Sequence, residues 1–240
     1  MTDVHEYACM ICGNTLVYGE SAKEQECIYC SENSTSPIFC PEGHFVCDSC
    51  HSADALDFLK LLAENETSTD PREIVETAFR HPSVKFHGPE HHSLVPAALL
   101  IAMKNRGILT QDEKPITTKT VLEGIRRGSK IPGGFCGYAG NCGACVGSGI
   151  AVALYLSSTP KKGSQRKGAH HATIEALKLV EDGLIRCCKR STLYGLAAAI
   201  KVLKEEHGVD LGPLPPVHSC ENAERNRDCE REACYYYKST

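Results

Sequence analysis

Three features of this sequence point to a mostly α protein, in which a helical domain is preceded by a small zinc-binding module of ribbon or RING-like type. Seven of the fifteen cysteines fall in the first 52 residues at metal-ligand spacing, apolar residues then recur at helical period from Leu56 to Leu203, and glycines punctuate the helical stretches. With 240 residues, 42% hydrophobic and 23% charged, the chain suffices for one ordinary core and a small appended module, and is neither fibrous nor disordered.

Residues 1–52 carry few long aliphatic side chains and no helical period, so this module depends on metal rather than on a core and should unfold without it. Its ligands come as four pairs: Cys9/Cys12, Cys27/Cys30, Cys40/His44 and Cys47/Cys50. A C-x-x-C turn aims two thiolates at one ion, and two such pairs complete a tetrahedron, so eight ligands make two closed zinc sites. Sequential pairing and cross-braced pairing both satisfy the count. The stretch from Cys40 through His44 and Cys47 to Cys50 resembles the middle of a RING-type module.

Eight acids in this module (Asp3, Glu6, Glu20, Glu24, Glu26, Glu32, Glu42 and Asp48) stand against Lys23 alone, a net of −7 that leaves +3 for the remainder. Phosphate contact needs Lys and Arg, so no DNA partner is expected. The acidic module reads instead as structural, or as a docking surface for a protein partner.

Residues 53–212 form the expected helical domain. Leu56, Leu59, Leu62 and Ala63 share a face, and a second helix opens at Asp70-Pro71-Arg72-Glu73 with an acid at the N-cap and proline at the first position. Residues 93–103 are apolar all round, as in a central core helix. Further helices are expected over 118–127, over 143–157, and around the apolar faces Ala169–Val180 and Leu193–Leu203, about seven in all. Glycine and proline at 208–216 break the pattern and leave a cysteine-bearing tail, 213–240.

Between these helices, residues 132–145 pack five glycines around Cys136, Cys142 and Cys145. Glycines free backbone N–H groups to point inward and a following helix N-terminus adds positive potential, which together suit a thiolate cluster. Outside the front module, eight cysteines divide as three (Cys136, Cys142, Cys145), two (Cys187, Cys188) and three (Cys220, Cys229, Cys234), so each of the vicinal pair can complete a different four-cysteine site. An iron–sulfur cluster, [4Fe–4S] by ligand count, is the expected cofactor there.

His87-Gly-Pro-Glu90-His91-His92 precedes the apolar helix; His87, Glu90 and His91, with Cys188, are the candidate catalytic groups, for metal binding or proton relay. Residues 161–190 carry eight bases and three acids, a candidate site for an anionic substrate. No apolar stretch reaches the roughly 20 residues that cross a bilayer, and the first residues have neither a basic start nor an apolar run, so a cytoplasmic chain without membrane contact is expected.

Three segments together, HGPEHH-x3-P at 87–96, CGYAGNCGAC-x-GSGIA at 136–151 and RCCKR at 186–190, with the cysteine tail, resemble the family catalogued as domain of unknown function 5714. The resemblance implies a cysteine-rich helical protein of methanogenic archaea and anaerobic bacteria, a setting that suits oxygen-sensitive iron–sulfur chemistry. The expected function is therefore an iron–sulfur and zinc metalloprotein in sulfur handling or redox chemistry. A zinc-stabilised binding module without catalysis and a thiol–disulfide sensor are the alternatives.

Overall fold

In a computed structural model the structure describes residues 9, 11–47, 50, 54–213 and 220–237. The expected boundary at residues 52–53, the acids Asp3, Glu6 and Asp48, and tail residues 214–219 and 238–240 lie outside them. The chain is mostly α with a small two-stranded sheet in front. Strands β1 (Val17–Glu26) and β2 (Asn33–Phe39) pair antiparallel, Val17 opposite Phe39 and Glu26 opposite Asn33, with an irregularity between Tyr18 and Lys23.

Eight described helices follow: α1 (Ala55–Asn65), α2 (Pro71–Arg80), α3 (Glu90–Asn105), α4 (Thr118–Gly128), the single turn α5 (Phe135–Tyr138), α6 (Gly143–Tyr155), α7 (Gly163–Val180) and α8 (Cys188–His207). Local chemistry sets several ends. The Asp54 carboxylate accepts from the N–H groups of Leu56 and Asp57 to start α1, and Asp70 accepts from Arg72 N–H to start α2. Gly208, at φ 68°, closes α8 in the left-handed conformation that glycine adopts without a Cβ clash.

Helix α3 is the axis of the fold: fourteen of its sixteen residues are buried, and α1, α2, α4, α6 and α8 pack around it. Its surroundings are apolar all round, which explains the absence of a polar stripe in its sequence. Pro96, inside the helix, has no N–H to give the carbonyl of His92 four residues earlier. Helices α4 and α6 close on that point: a Cβ on Gly128 would overlap the His92 carbonyl, and one on Gly143 would overlap the His92 ring. Small residues at the start of α6 thus bring its N-terminus against the His87–His92 turn.

The front module sits on α1 and α2. Tyr29 meets Phe58 edge-on at 4.7 Å, His81 stacks on Phe58 at 3.9 Å, and His81 Nε2 donates to the Cys50 carbonyl at 2.8 Å. Among the described residues no helix is long and apolar enough to cross a membrane. Truncating Leu99, fully buried in α3, to alanine should cost about 3 kcal/mol of unfolding free energy, whereas Leu109→Ala, 49% exposed, should cost less than about 0.5 kcal/mol; denaturant midpoints compare the two.

Candidate metal centres

In the front module the ligand pairs interleave. Cys9, Cys12, Cys40 and His44 form one group and Cys27, Cys30, Cys47 and Cys50 the other, the ligand atoms of each lying within 4.8 Å of one another. The pairing is cross-braced: first pair with third, second with fourth. The sulfurs of Cys12 and Cys40 are 3.5 Å apart, those of Cys30 and Cys47 3.7 Å, and Cys40 Sγ lies 3.7 Å from His44 Nδ1. Thiolates bound about 2.3 Å from one tetrahedral ion stand about 3.8 Å apart, so both groups match a single-ion site.

Turns shape these groups. Gly13, Ser31 and Gly43 take positive φ just after Cys12, Cys30 and Cys40-x-x, and their N–H groups bond back to the carbonyls of Cys9, Cys27 and Cys40. The N–H of Cys47 donates to Cys27 Sγ at 3.4 Å. Burial and the neighbouring Cys27 push the Cys50 thiol far up, because four thiols in so small a space cannot all ionise without a cation between them. The exposed Glu20, Glu24, Glu26, Glu32 and Glu42 lie outside the ligand groups.

The central loop builds a different site. Cys136 in α5, Cys142 at the N-cap of α6 and Cys188 in the first turn of α8 line one cavity of about 260 Å³ together with His87, His91, His92, Arg186 and Ser191. Two helix N-termini, of α6 and α8, open on it and favour negative charge there. The Cys142 thiol is lowered to about 5, first by the hydrogen bond from Cys145 and then by the N–H groups of Cys145 and Ala144 and by Ser191, against the opposing effect of burial. Burial raises Cys188 to about 11, although the N–H of Gly88 and the charge of Arg186 pull the other way.

Cys145 stands behind this cavity, not on it. It is fully buried against Ala176 and Ala198, its thiol is raised by the Cys142 thiolate and by burial, and it therefore stays protonated and donates to Cys142. A larger cavity of about 630 Å³ shares Cys136, Cys142, Arg186 and Ser191 with the first and is walled by the end of α7.

The three histidines differ in what they have left to offer. His91 is fully buried and lowered to about 3 by burial; its Nε2–H donates to the Lys85 carbonyl at 2.7 Å and its Nδ1 accepts from the Thr192 hydroxyl at 2.8 Å, so both nitrogens hold structure. Glu90 lies off the cavity: its carboxylate accepts the Lys85 N–H at 2.8 Å and crowds Gly88, where any Cβ would collide with it. His92 donates from Nδ1 to the Ile131 carbonyl at 3.1 Å, which leaves the lone pair on Nε2. His87 donates from Nε2 to Asp228 at 3.1 Å, and its Nδ1 is buried without a hydrogen-bond partner. His87 and His92 thus carry the available nitrogens. Residue type alone could not separate them from His91, because the distinction lies in partners supplied by Lys85, Thr192, Ile131 and Asp228.

Cys187 turns away from this cavity. It lines another, of about 30 Å³, with Cys220, Cys229 and Cys234 of the C-terminal segment. The basic stretch 161–190 does not present one free face: Lys189 and Arg190 are buried, Arg190 pairs with Asp182 at 3.1 Å, Lys178 with Glu175, and Lys162 with Asp112, while exposed Arg186 stands at the rim of both loop cavities. The supporting donors Ser191 and Gly88 had no signal in the sequence beyond their nearness to the cysteines and histidines. All fifteen cysteines are free thiols.

A family model described as Family of unknown function (DUF5714) matches residues 59–237, and the chain belongs to that family. The match begins within α1, after the cross-braced module, and takes in the loop, the vicinal cysteines and the tail cysteines. No curated protein and no solved structure matches the chain.

The cross-brace makes a direct prediction. Cys12→Ser should release one metal ion and expose Cys9 and Cys40 to alkylation while Cys27, Cys30, Cys47 and Cys50 stay protected, as read by mass mapping; joint exposure of Cys27 and Cys30 would indicate sequential pairing instead.

Proposed function

We propose that this member of the DUF5714 family is an iron–sulfur protein with two structural zinc ions in its front module, and that it serves sulfur handling or redox chemistry at the cavity formed by Cys136, Cys142 and Cys188. The observation that carries the reading is the convergence of three cysteines from three separate elements on a cavity of about 260 Å³ that His87 also lines. Three protein thiolates leave one iron of a cluster open, and an open iron supplies Lewis-acid binding of a small ligand.

The residues around the cavity fit such a group. The Cys145 thiol first, and then backbone N–H groups, favour the thiolate of Cys142, the hydrogen-bonded environment that tunes cluster ligands. Arg186, exposed at the rim, attracts an anion. With its Nε2 proton committed to Asp228, His87 keeps a lone pair on Nδ1, a proton acceptor in the wall of the cavity. The size of the cavity favours a small inorganic or thiol substrate over a macromolecule. The exposed acids of the hairpin suit docking of a basic protein partner.

A second reading has its own support. Cys142 and Cys145 form a C-x-x-C pair at a helix start, the first lowered to about 5 and the second buried and protonated, which is the arrangement of a dithiol that cycles through a disulfide.

Anaerobic purification followed by iron, zinc and acid-labile sulfide analysis tests both. The expected protein carries two zinc ions in the front module and iron with sulfide elsewhere. Cys142→Ser and Cys188→Ser should lose the loop iron, Cys145→Ser should keep it, and His87→Ala should keep it while binding an anionic sulfur ligand about tenfold more weakly. A chain free of iron after reconstitution, with Cys142 and Cys145 reversibly joined by mild oxidant, would replace the first reading by the second.

A further inference from the structure

We infer that Cys187, Cys220, Cys229 and Cys234 hold a second, closed thiolate metal centre that fastens the C-terminal segment to the start of α8. This centre has its own ligands, distinct from those of the loop site; the two are joined by the peptide between Cys187 and Cys188 and by the His87–Asp228 hydrogen bond.

The four sulfurs come from one helix start and one segment. Cys187 is the N-cap of α8, Cys220 opens an isolated bridge to Tyr237, and Cys229 and Cys234 each follow a single 3₁₀ turn. All four line one cavity of about 30 Å³, but among the described residues only the two front groups bring three or more ligand atoms within 4.8 Å of one another, so the spacing of the tail thiols suits a polynuclear iron–sulfur core and not a single ion. Against about 260 Å³ at the loop, that volume accepts a metal centre but leaves no room for a substrate beside it, as in closed structural sites.

Residues 220–237 need such a fastening. Their regular structure is two single 3₁₀ turns, Ala223–Arg225 and Arg231–Ala233, and one bridge, and their buried side chains are Asn222, Tyr236 and Tyr237. So little apolar burial cannot offset the entropy of ordering the segment, whereas four metal–thiolate bonds can.

Donors and charge are arranged for thiolates. The N–H of Asn222 donates to Cys220 Sγ at 3.4 Å and the amide of Asn226 to Cys187 Sγ at 3.8 Å, while Cys187 lies at the positive end of α8. Buried Lys189 lines the cavity, with its Nζ donating to Phe79 O at 2.7 Å, and Arg190 lines it as well. Three acids also face it, but Glu230 accepts the N–H of Ile185 and Asp228 is paired with His87, which leaves Glu76 beside Lys189. Four thiolates on an iron–sulfur core carry net negative charge, and Lys189 and Arg190 offset it.

The vicinal pair gives the sharpest test. In full-length protein purified without oxygen, Cys187→Ser should lose the metal of the tail centre and keep that of the loop, and Cys188→Ser the reverse. Cys229→Ser and Cys234→Ser should repeat the Cys187→Ser loss and admit trypsin at Arg225, Arg227 and Arg231. Joint loss of iron and acid-labile sulfide in the Cys187→Ser, Cys229→Ser and Cys234→Ser proteins supports the centre, and loss of zinc alone would overturn it. In the unsubstituted chain the four thiols should resist alkylation until metal is removed, a measurement that does not depend on any variant folding. Metal content unchanged by Cys187→Ser, Cys229→Ser and Cys234→Ser, or alkylation of the four thiols before metal release, would overturn the inference whatever happens at the loop.

Discussion

The contact on which the rest of this structure depends is the approach of α6 to the first turn of α3 at His92. Pro96 leaves the His92 carbonyl without a helical N–H, and Gly128 and Gly143 bring two further helices to within a distance no side chain would allow. That approach fixes the N-terminus of α6, and Cys142 with it, beside the His87–His92 turn. Helix α8 packs against both α3 and α6, which carries Cys188 to the same place. Close packing of backbones therefore builds the cavity, and the cysteines occupy its wall.

The chemistry of that wall follows from where protons can reside. Two helix N-termini and several N–H groups favour an anionic sulfur at Cys142, and the thiol of Cys145 behind it cannot ionise as well. His91 spends both nitrogens holding the Lys85 turn to α8, while His87 is steered by an acid of the C-terminal segment. The segment thus reaches the cavity through Asp228, and whatever orders it also orders His87.

The front module answers to a separate constraint. Interleaving its ligand pairs ties residues 9–12 to 40–44 and 27–30 to 47–50, so neither loop can open without disturbing both groups. Its second group rests on Tyr29, Phe58 and His81, which couples metal binding in the module to the packing of α1 and α2. The family match starts within α1, so this module lies in front of the matched region.

Sequence alone determined the mostly helical architecture, because burial writes a 3.6-residue period into Leu56–Ala63, Ile74–Phe79 and Leu193–Leu203 and because caps such as Asp70-Pro71 act within one turn. It also identified the ligand pairs at the front and the sulfur-rich loop, whose C-x-x-C spacings are local. Tertiary structure decided what pairs with what: interleaved groups in the module, Cys188 toward the loop and Cys187 toward the tail, Cys145 behind the wall, His91 tied and His87 available. Adjacent residues carry no signal for the direction in which each side chain leaves a helix start. That direction is set by helices 40 to 100 residues away in the chain, whose meeting depends on packing across the whole core.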